Sequence, residues 1–126
     1  MQLTKAEEQV MQYLWQIDEG LVQDVRDRFP EPKPSRTTVS TILRILETKE
    51  FVAHKANGRV FTYYPIIQKE VYSKQQLFGM LKDYFNNSFA SMASFFARES
   101  DMSALEMEAL LEDTKKELVK KGKKQK

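Results

Sequence analysis

The sequence predicts a mostly α-helical chain with a small β-hairpin, arranged as an N-terminal winged helix-turn-helix unit followed by a C-terminal helical module. Three observations lead there. Val39, Ile42, Leu43 and Leu46 recur at i, i+3, i+4 and i+7, one apolar stripe along a helix. Two runs rich in aromatic and β-branched residues, 51–56 and 60–64, flank Asn57-Gly58, a strong short-range hairpin signal. From Gln68 onward the apolar residues return to helical spacing.

Taken in order, Thr4 and Glu7 form a capping-box pattern, so a first helix starts near Lys5 with Val10, Met11, Leu14 and Trp15 on its apolar face. Trp15 reads as a core anchor. Gly20 ends this element, and Leu21-Val22 is expected to pair as a minimal strand. Val22, Val25 and Phe29 mark a short second helix, stopped by Pro30, Pro32 and Pro34. The third helix follows Ser35, whose hydroxyl suits an N-cap. Closing the hairpin with Asn57-Gly58 as its two-residue turn pairs Ala56 with Arg59, His54 with Phe61 and Val52 with Tyr63. That register places Lys55 and Arg59 beside the turn.

The second half reads as three helices. Val71, Leu77, Leu81, Tyr84 and Phe85 mark the first, with a break at Asn86-Asn87. Phe89, Met92, Phe95 and Phe96 mark the next. Ser103 and Glu106 cap the last, Met102 staples onto Met107, and Met107, Leu110, Leu111 and Leu118 form its stripe. The resulting division is 1–66, 67–119 and a basic, disordered tail over 120–126. Helices totalling about 55 residues rarely bury so many aromatics and methionines on their own. A partner surface is therefore expected over Leu81, Phe85, Phe89, Met92, Phe95, Phe96, Met107, Leu110 and Leu111, with a second copy of the chain as occupant. The other reading packs this stripe on the N-terminal unit of the same chain.

Composition narrows the function. The chain has 126 residues and no cysteine, which excludes disulfides, thiol catalysis and thiolate metal sites. His54 is the only histidine, too few ligands for a structural metal, and reads as a half-exposed strand residue. No apolar run reaches the length of a membrane span, and the N-terminus lacks a signal-peptide pattern, so a cytoplasmic protein without membrane insertion is expected. No nucleophile-and-base set or carboxylate cluster is visible; no catalytic residue, metal or cofactor is expected, and the chain does not read as an enzyme.

Net charge is only +2, but its distribution is uneven. Residues 1–30 carry three bases against six acids, whereas residues 31–64 carry six bases against three acids. The third helix lies in the basic stretch. Its face away from the apolar stripe carries Arg36, Thr37, Ser40, Thr41 and Arg44, with no acid before Glu47. Short hydroxyls and arginines suit a DNA major groove, where they reach phosphates or base edges. Arg36, in the first turn, could serve either contact. With Lys55 and Arg59 on a hairpin wing, the candidate site is Arg36, Thr37, Ser40, Thr41, Arg44, Lys55 and Arg59. The alternative is a winged-helix protein-interaction module without DNA binding.

These residues also carry a resemblance. Leu3-Thr4-Lys5-Ala6-Glu7 with Trp15, Ser35-Arg36-Thr37-Thr38-Val39 with Leu43 and Leu46, Asn57-Gly58-Arg59, Tyr63-Tyr64-Pro65 and Asp101-Met102-Ser103 stand in one order. Over about residues 3–118 the chain resembles the penicillinase and methicillin-resistance repressors, a bacterial winged-helix family of transcriptional regulators that includes copper-operon repressors. The resemblance implies a homodimer on double-stranded DNA at a palindromic operator, with the C-terminal helices as dimer module. It also implies a regulatory protease or membrane sensor as a further partner. Three departures bear on this. The paired cysteines of copper-sensing members are absent, Phe95-Phe96 stands where β-lactam-responsive members carry a cleavable Asn-Phe bond, and Lys49-Glu50 replaces a helix-terminating Lys-Gly.

Overall fold

The computed structural model describes residues 3–124, with side chains to residue 120. It divides into two compact units, residues 1–75 and 76–126. Eight elements follow in order: α1 (Lys5–Ile17), α2 (Val22–Arg26), α3 (Arg36–Thr48), β1 (Val52–Asn57), β2 (Val60–Pro65), α4 (Lys69–Phe85), α5 (Phe89–Glu99) and α6 (Ala104–Lys124). They form a mostly helical fold with one two-stranded antiparallel sheet.

In unit 1, α1 begins in the expected capping box. The Thr4 hydroxyl accepts from the Glu7 N–H at 3.2 Å, and the Thr4 N–H donates to Glu7 Oε1 at 2.9 Å. Ser35 caps α3 by accepting from the Thr38 N–H at 3.1 Å. The core unites Val10, Met11 and Leu14 of α1, Val25 of α2, and Val39, Leu43 and Leu46 of α3, closed by Phe51, Val52 and Tyr63. Ile42 is only partly buried at its margin.

Two expectations about the sheet are corrected. The expected Leu21-Val22 strand is absent: Leu21 is the N-cap of α2 and Val22 its first residue. The β-bridge forms one residue earlier, where Gly20 and Tyr63 exchange both backbone hydrogen bonds, at 2.9 and 2.8 Å. The hairpin register also differs. Asn57 pairs with Val60, Ala56 with Phe61, and His54 with Tyr63, so the turn residues are Gly58-Arg59. The reason is local: Gly58 alone in the turn has positive φ, at 66°, while Asn57 stays extended in β1. Glycine at the first of two turn positions is what a type II′ hairpin turn requires. A slip of two residues leaves every side chain on its expected face.

Unit 1 extends past residue 66. Tyr72, three residues into α4, is 5% exposed and belongs to the core. Its ring lies 5.7 Å from that of Trp15 and 6.0 Å from that of Phe51, and its hydroxyl donates to Glu8 at 2.7 Å. The Trp15 indole N–H donates to the Ile67 carbonyl at 2.9 Å. The division therefore falls inside α4, after Gln75, whereas the sequence predicts it at 66.

Unit 2 comprises the remainder of α4 with α5 and α6. Asn86 and Asn87 adopt left-handed φ of 52° and 61° and break the chain between α4 and α5. Ser88 caps α5, and Ser103 with Glu106 caps α6. Helix α6 continues to Lys124, so the expected disordered tail is helical through that residue; residues 125–126 lie outside the described residues. Among the described residues of this unit no side chain is fully buried.

Candidate nucleic-acid interface

Helix α3 turns its two faces to different tasks. Val39, Leu43 and Leu46 are buried, while Arg36, Thr37, Thr41 and Arg44 are exposed and Ser40 is half-buried. An α-helix repeats every 3.6 residues, so one sequence pattern fixes both faces. The turn before α3 is held by side chains on backbone. Arg26 Nε donates to the Pro34 carbonyl at 2.7 Å, and Lys33 Nζ donates to the carbonyls of Phe29 and Asp27 at 2.7 and 3.0 Å. These two bases are engaged in positioning α3 against α2.

A groove of about 310 Å³ runs between the start of α2, the first turns of α3 and the hairpin. It brings Arg36, Ser40 and Arg59 together, lined also by Gln23, Val60, Phe61 and Tyr63. Farther along α3, Arg44 Nη2 lies 3.4 Å from Thr41 Oγ1, a long contact that leaves the guanidinium available. Lys55 stands apart. Side chains alternate across a strand, so Lys55 and its partner Thr62 face away from Phe61 and Tyr63. Its ammonium pairs with Glu19 at 3.3 Å and lies 5.4 Å from the Tyr64 ring centre.

Glu47, the one acid on α3, is occupied: its Oε2 lies 2.7 Å from His54 Nδ1 on β1. His54 stacks on Phe61, with ring centres 4.1 Å apart. Burial first, then the Glu47 charge, push the Tyr63 hydroxyl up, and Arg44 partly offsets them. Sequence reasoning missed Gln23, because a glutamine opening a short helix carries no distinguishing pattern. It also missed the roles of Phe61 and Glu47, which depend on a pairing that spacing alone did not fix.

The nine residues expected to meet a partner lie in unit 2. Phe85, Phe89, Met92, Phe95, Phe96, Met107, Leu110 and Leu111 line one open apolar groove of about 490 Å³. Leu81 does not line it; Leu77 and Met80 do. Phe89, Phe96 and Met80 are each half or more exposed. Among the described residues no helix is long and apolar enough to cross a membrane, and no three His, Cys, Asp or Glu side chains converge as a metal site.

The chain is similar to known proteins over most of its length. The penicillinase repressor of Bacillus licheniformis is 27% identical over 110 residues, covering 86% of each chain. The methicillin resistance regulatory protein MecI of Staphylococcus aureus (strain N315) is 22% identical over 110 residues, 86% of this chain and 89% of that one. Among solved structures, the DNA binding domain of the repressor BlaI has 30% identity and a TM-score of 0.49, covering 56% of this chain and 88% of that one. A family model, penicillinase repressor, matches residues 3–123. With a match spanning nearly its whole length, the chain belongs to the penicillinase repressor family.

Proposed function

We propose that this chain is a cytoplasmic transcriptional repressor that binds a palindromic operator as a homodimer, with α3 in the major groove and the hairpin as a wing along the backbone. The observation that carries this reading is the joint exposure of Arg36, Thr37, Thr41 and Arg44 on one helix face with Arg59 across the groove beside it. Thr37, Ser40, Thr41 and Arg44 read bases. Arg59 holds phosphate and Arg36 the phosphate beside the first turn, while Lys55, on the other face of the hairpin, reaches the duplex only on leaving its exposed pair with Glu19. One recognition helix reads only a few base pairs, too few to single out one operator among roughly 10⁶ or more competing sites. Two copies related by a two-fold axis double the contacts and make the operator a palindrome. The open apolar groove of unit 2 supports the second copy as its occupant. A regulatory protease acting at Phe95-Phe96 would meet a bond inside α5, so the helix must open before cleavage.

Selecting bound sequences from a random duplex pool tests this. The enriched sites should be palindromes with half-sites about one helical turn apart or a multiple of it. Arg44→Ala should then lose about 1–3 kcal/mol of discrimination at one position of each half-site. A pool that enriches nothing would leave the protein-interaction module as the better account.

A further inference from the structure

A winged helix has two contacts to place at once. The recognition helix must sit at the base edges while the wing reaches phosphates whose positions the duplex fixes. The spacing between the two is therefore a working dimension of the protein, and something must set it. The base of this hairpin is held firmly. Gly20 and Tyr63 exchange backbone hydrogen bonds, and the Ile66 N–H donates to the Phe51 carbonyl at 2.8 Å. The outer half is held much less. Every residue from Lys55 to Phe61 is exposed. Among the described residues, side-chain hydrogen bonds from the hairpin to other elements of the unit are Lys55 to Glu19 and His54 to Glu47. In the first, both partners are more than half exposed, and such pairs constrain little.

The second is different in kind. His54 and Glu47 are each about one-third exposed or less, at 27% and 33%, and they meet at 2.7 Å. The Phe61 ring lies on the imidazole with an interplanar angle of 18°. A line of two contacts results, from Glu47 to His54 and from His54 to Phe61. It runs from a point one turn past Arg44, the candidate base-reading arginine, to a point two residues past Arg59, the candidate phosphate-holding one. It also gives the one carboxylate of α3 a partner within the unit.

We infer that His54 and Glu47 are positioning residues for DNA binding: their contact fixes the wing at the angle that lets Arg59 reach backbone phosphate while α3 lies in the groove. This inference rests on the DNA-binding reading above. His54 itself touches no nucleotide in this account. Loss of its contact acts only through Arg59.

The test is a thermodynamic cycle on the full chain. Binding to a random-sequence duplex is measured by fluorescence anisotropy over a series of salt concentrations, for the wild type, His54→Ala, Arg59→Ala and the double variant. One lost phosphate contact lowers the slope of log affinity against log salt by about 0.9. Both single variants should show that drop, and the double variant should bind as Arg59→Ala does. His54→Asn, whose amide nitrogen can stand where Nδ1 stood, should recover most of the slope. A merely structural His54 would change thermal stability and leave the salt slope unmoved. If Arg59→Ala lowers the slope and His54→Ala leaves it intact, or if the two losses add, the positioning role is overturned and the interface survives. A wild-type chain with no salt-dependent duplex binding removes the interface itself, and the positioning role with it.

Discussion

A carboxylate taken out of water stays charged only where donors replace the water, and Glu7 has two on a single oxygen. The Lys49 ammonium reaches Oε1 at 2.7 Å and the Thr4 N–H at 2.9 Å, with the Glu7 side chain only 7% exposed. Burial alone would raise its titration; the Lys49 hydrogen bond, the Thr4 N–H and the Lys49 charge outweigh it, and the carboxyl sits below its ordinary value. A depressed value in the folded state means stability that is present above the unfolded carboxylate value of about 4.3 and is lost as pH falls through the folded one. Glu7→Gln should therefore cost about 1–3 kcal/mol at neutral pH, and the gap to the wild type should close as the solution is taken below about pH 4. Urea denaturation at a series of pH values measures it; a gap independent of pH would contradict the assignment. The Thr4–Glu7 half of this arrangement is legible in sequence because the partners are three residues apart. The Lys49 half is not, because nothing in a pattern read along the chain links positions 42 residues apart.

At the end of α3 the chain closes in a Schellman arrangement. The Glu50 N–H donates to the Glu47 carbonyl at 3.0 Å and the Phe51 N–H to the Leu46 carbonyl at 2.9 Å, with Glu50 at φ 65°. This left-handed position favours glycine, which meets no Cβ penalty there. Glu50→Gly should stabilise the chain by about 0.5–1 kcal/mol, the relief of left-handed strain less the entropy glycine adds to the unfolded state. A lowered melting temperature would refute it. The helices were largely legible from their period and, for α1, α3 and α6, from their caps: Thr4, Ser35 and Ser103 act where their side chains suggest. The hairpin was legible as a hairpin but not in register, since Asn57-Gly58 and Gly58-Arg59 are both acceptable turns and one positive φ decides between them. The candidate site followed the same rule. Arg36, Ser40 and Arg59 converge as one helical face and one turn demand, and strand alternation already sets Lys55 on the other face, whereas its pairing with Glu19 lies outside any local pattern. The boundary between the units was misplaced because Tyr72 is the one aromatic in the first turns of α4, and only the packed core reveals its burial. A fragment ending at residue 66 loses Tyr72 and leaves the Trp15 indole without the Ile67 carbonyl. It should be about 3–5 kcal/mol less stable than a fragment ending at residue 75, a difference that chemical denaturation of the two resolves.

At the scale of the whole molecule, each unit has its own balance of buried and exposed apolar surface. Unit 1 closes a core around Met11, Leu14, Leu43 and Leu46, while unit 2 leaves Phe89, Phe95 and Phe96 close to half exposed or more. In the dimer proposed above, a second copy covers that groove and ties repression to association. Phe96→Glu in the full chain should sediment as a monomer at micromolar concentration and bind a palindromic duplex orders of magnitude more weakly, since the second half-site no longer comes at high effective concentration. A dimer of undiminished operator affinity would refute the groove as the contact. Trp15 makes this experiment readable without any label. It is the only tryptophan, and its indole sits against Tyr72 and Ile67, wholly within unit 1. Its fluorescence is thus a private channel for the winged-helix half, deaf to what happens among the phenylalanines of the other. A variant that falls apart into single chains with its emission spectrum unchanged has lost its partner and kept its winged-helix half folded.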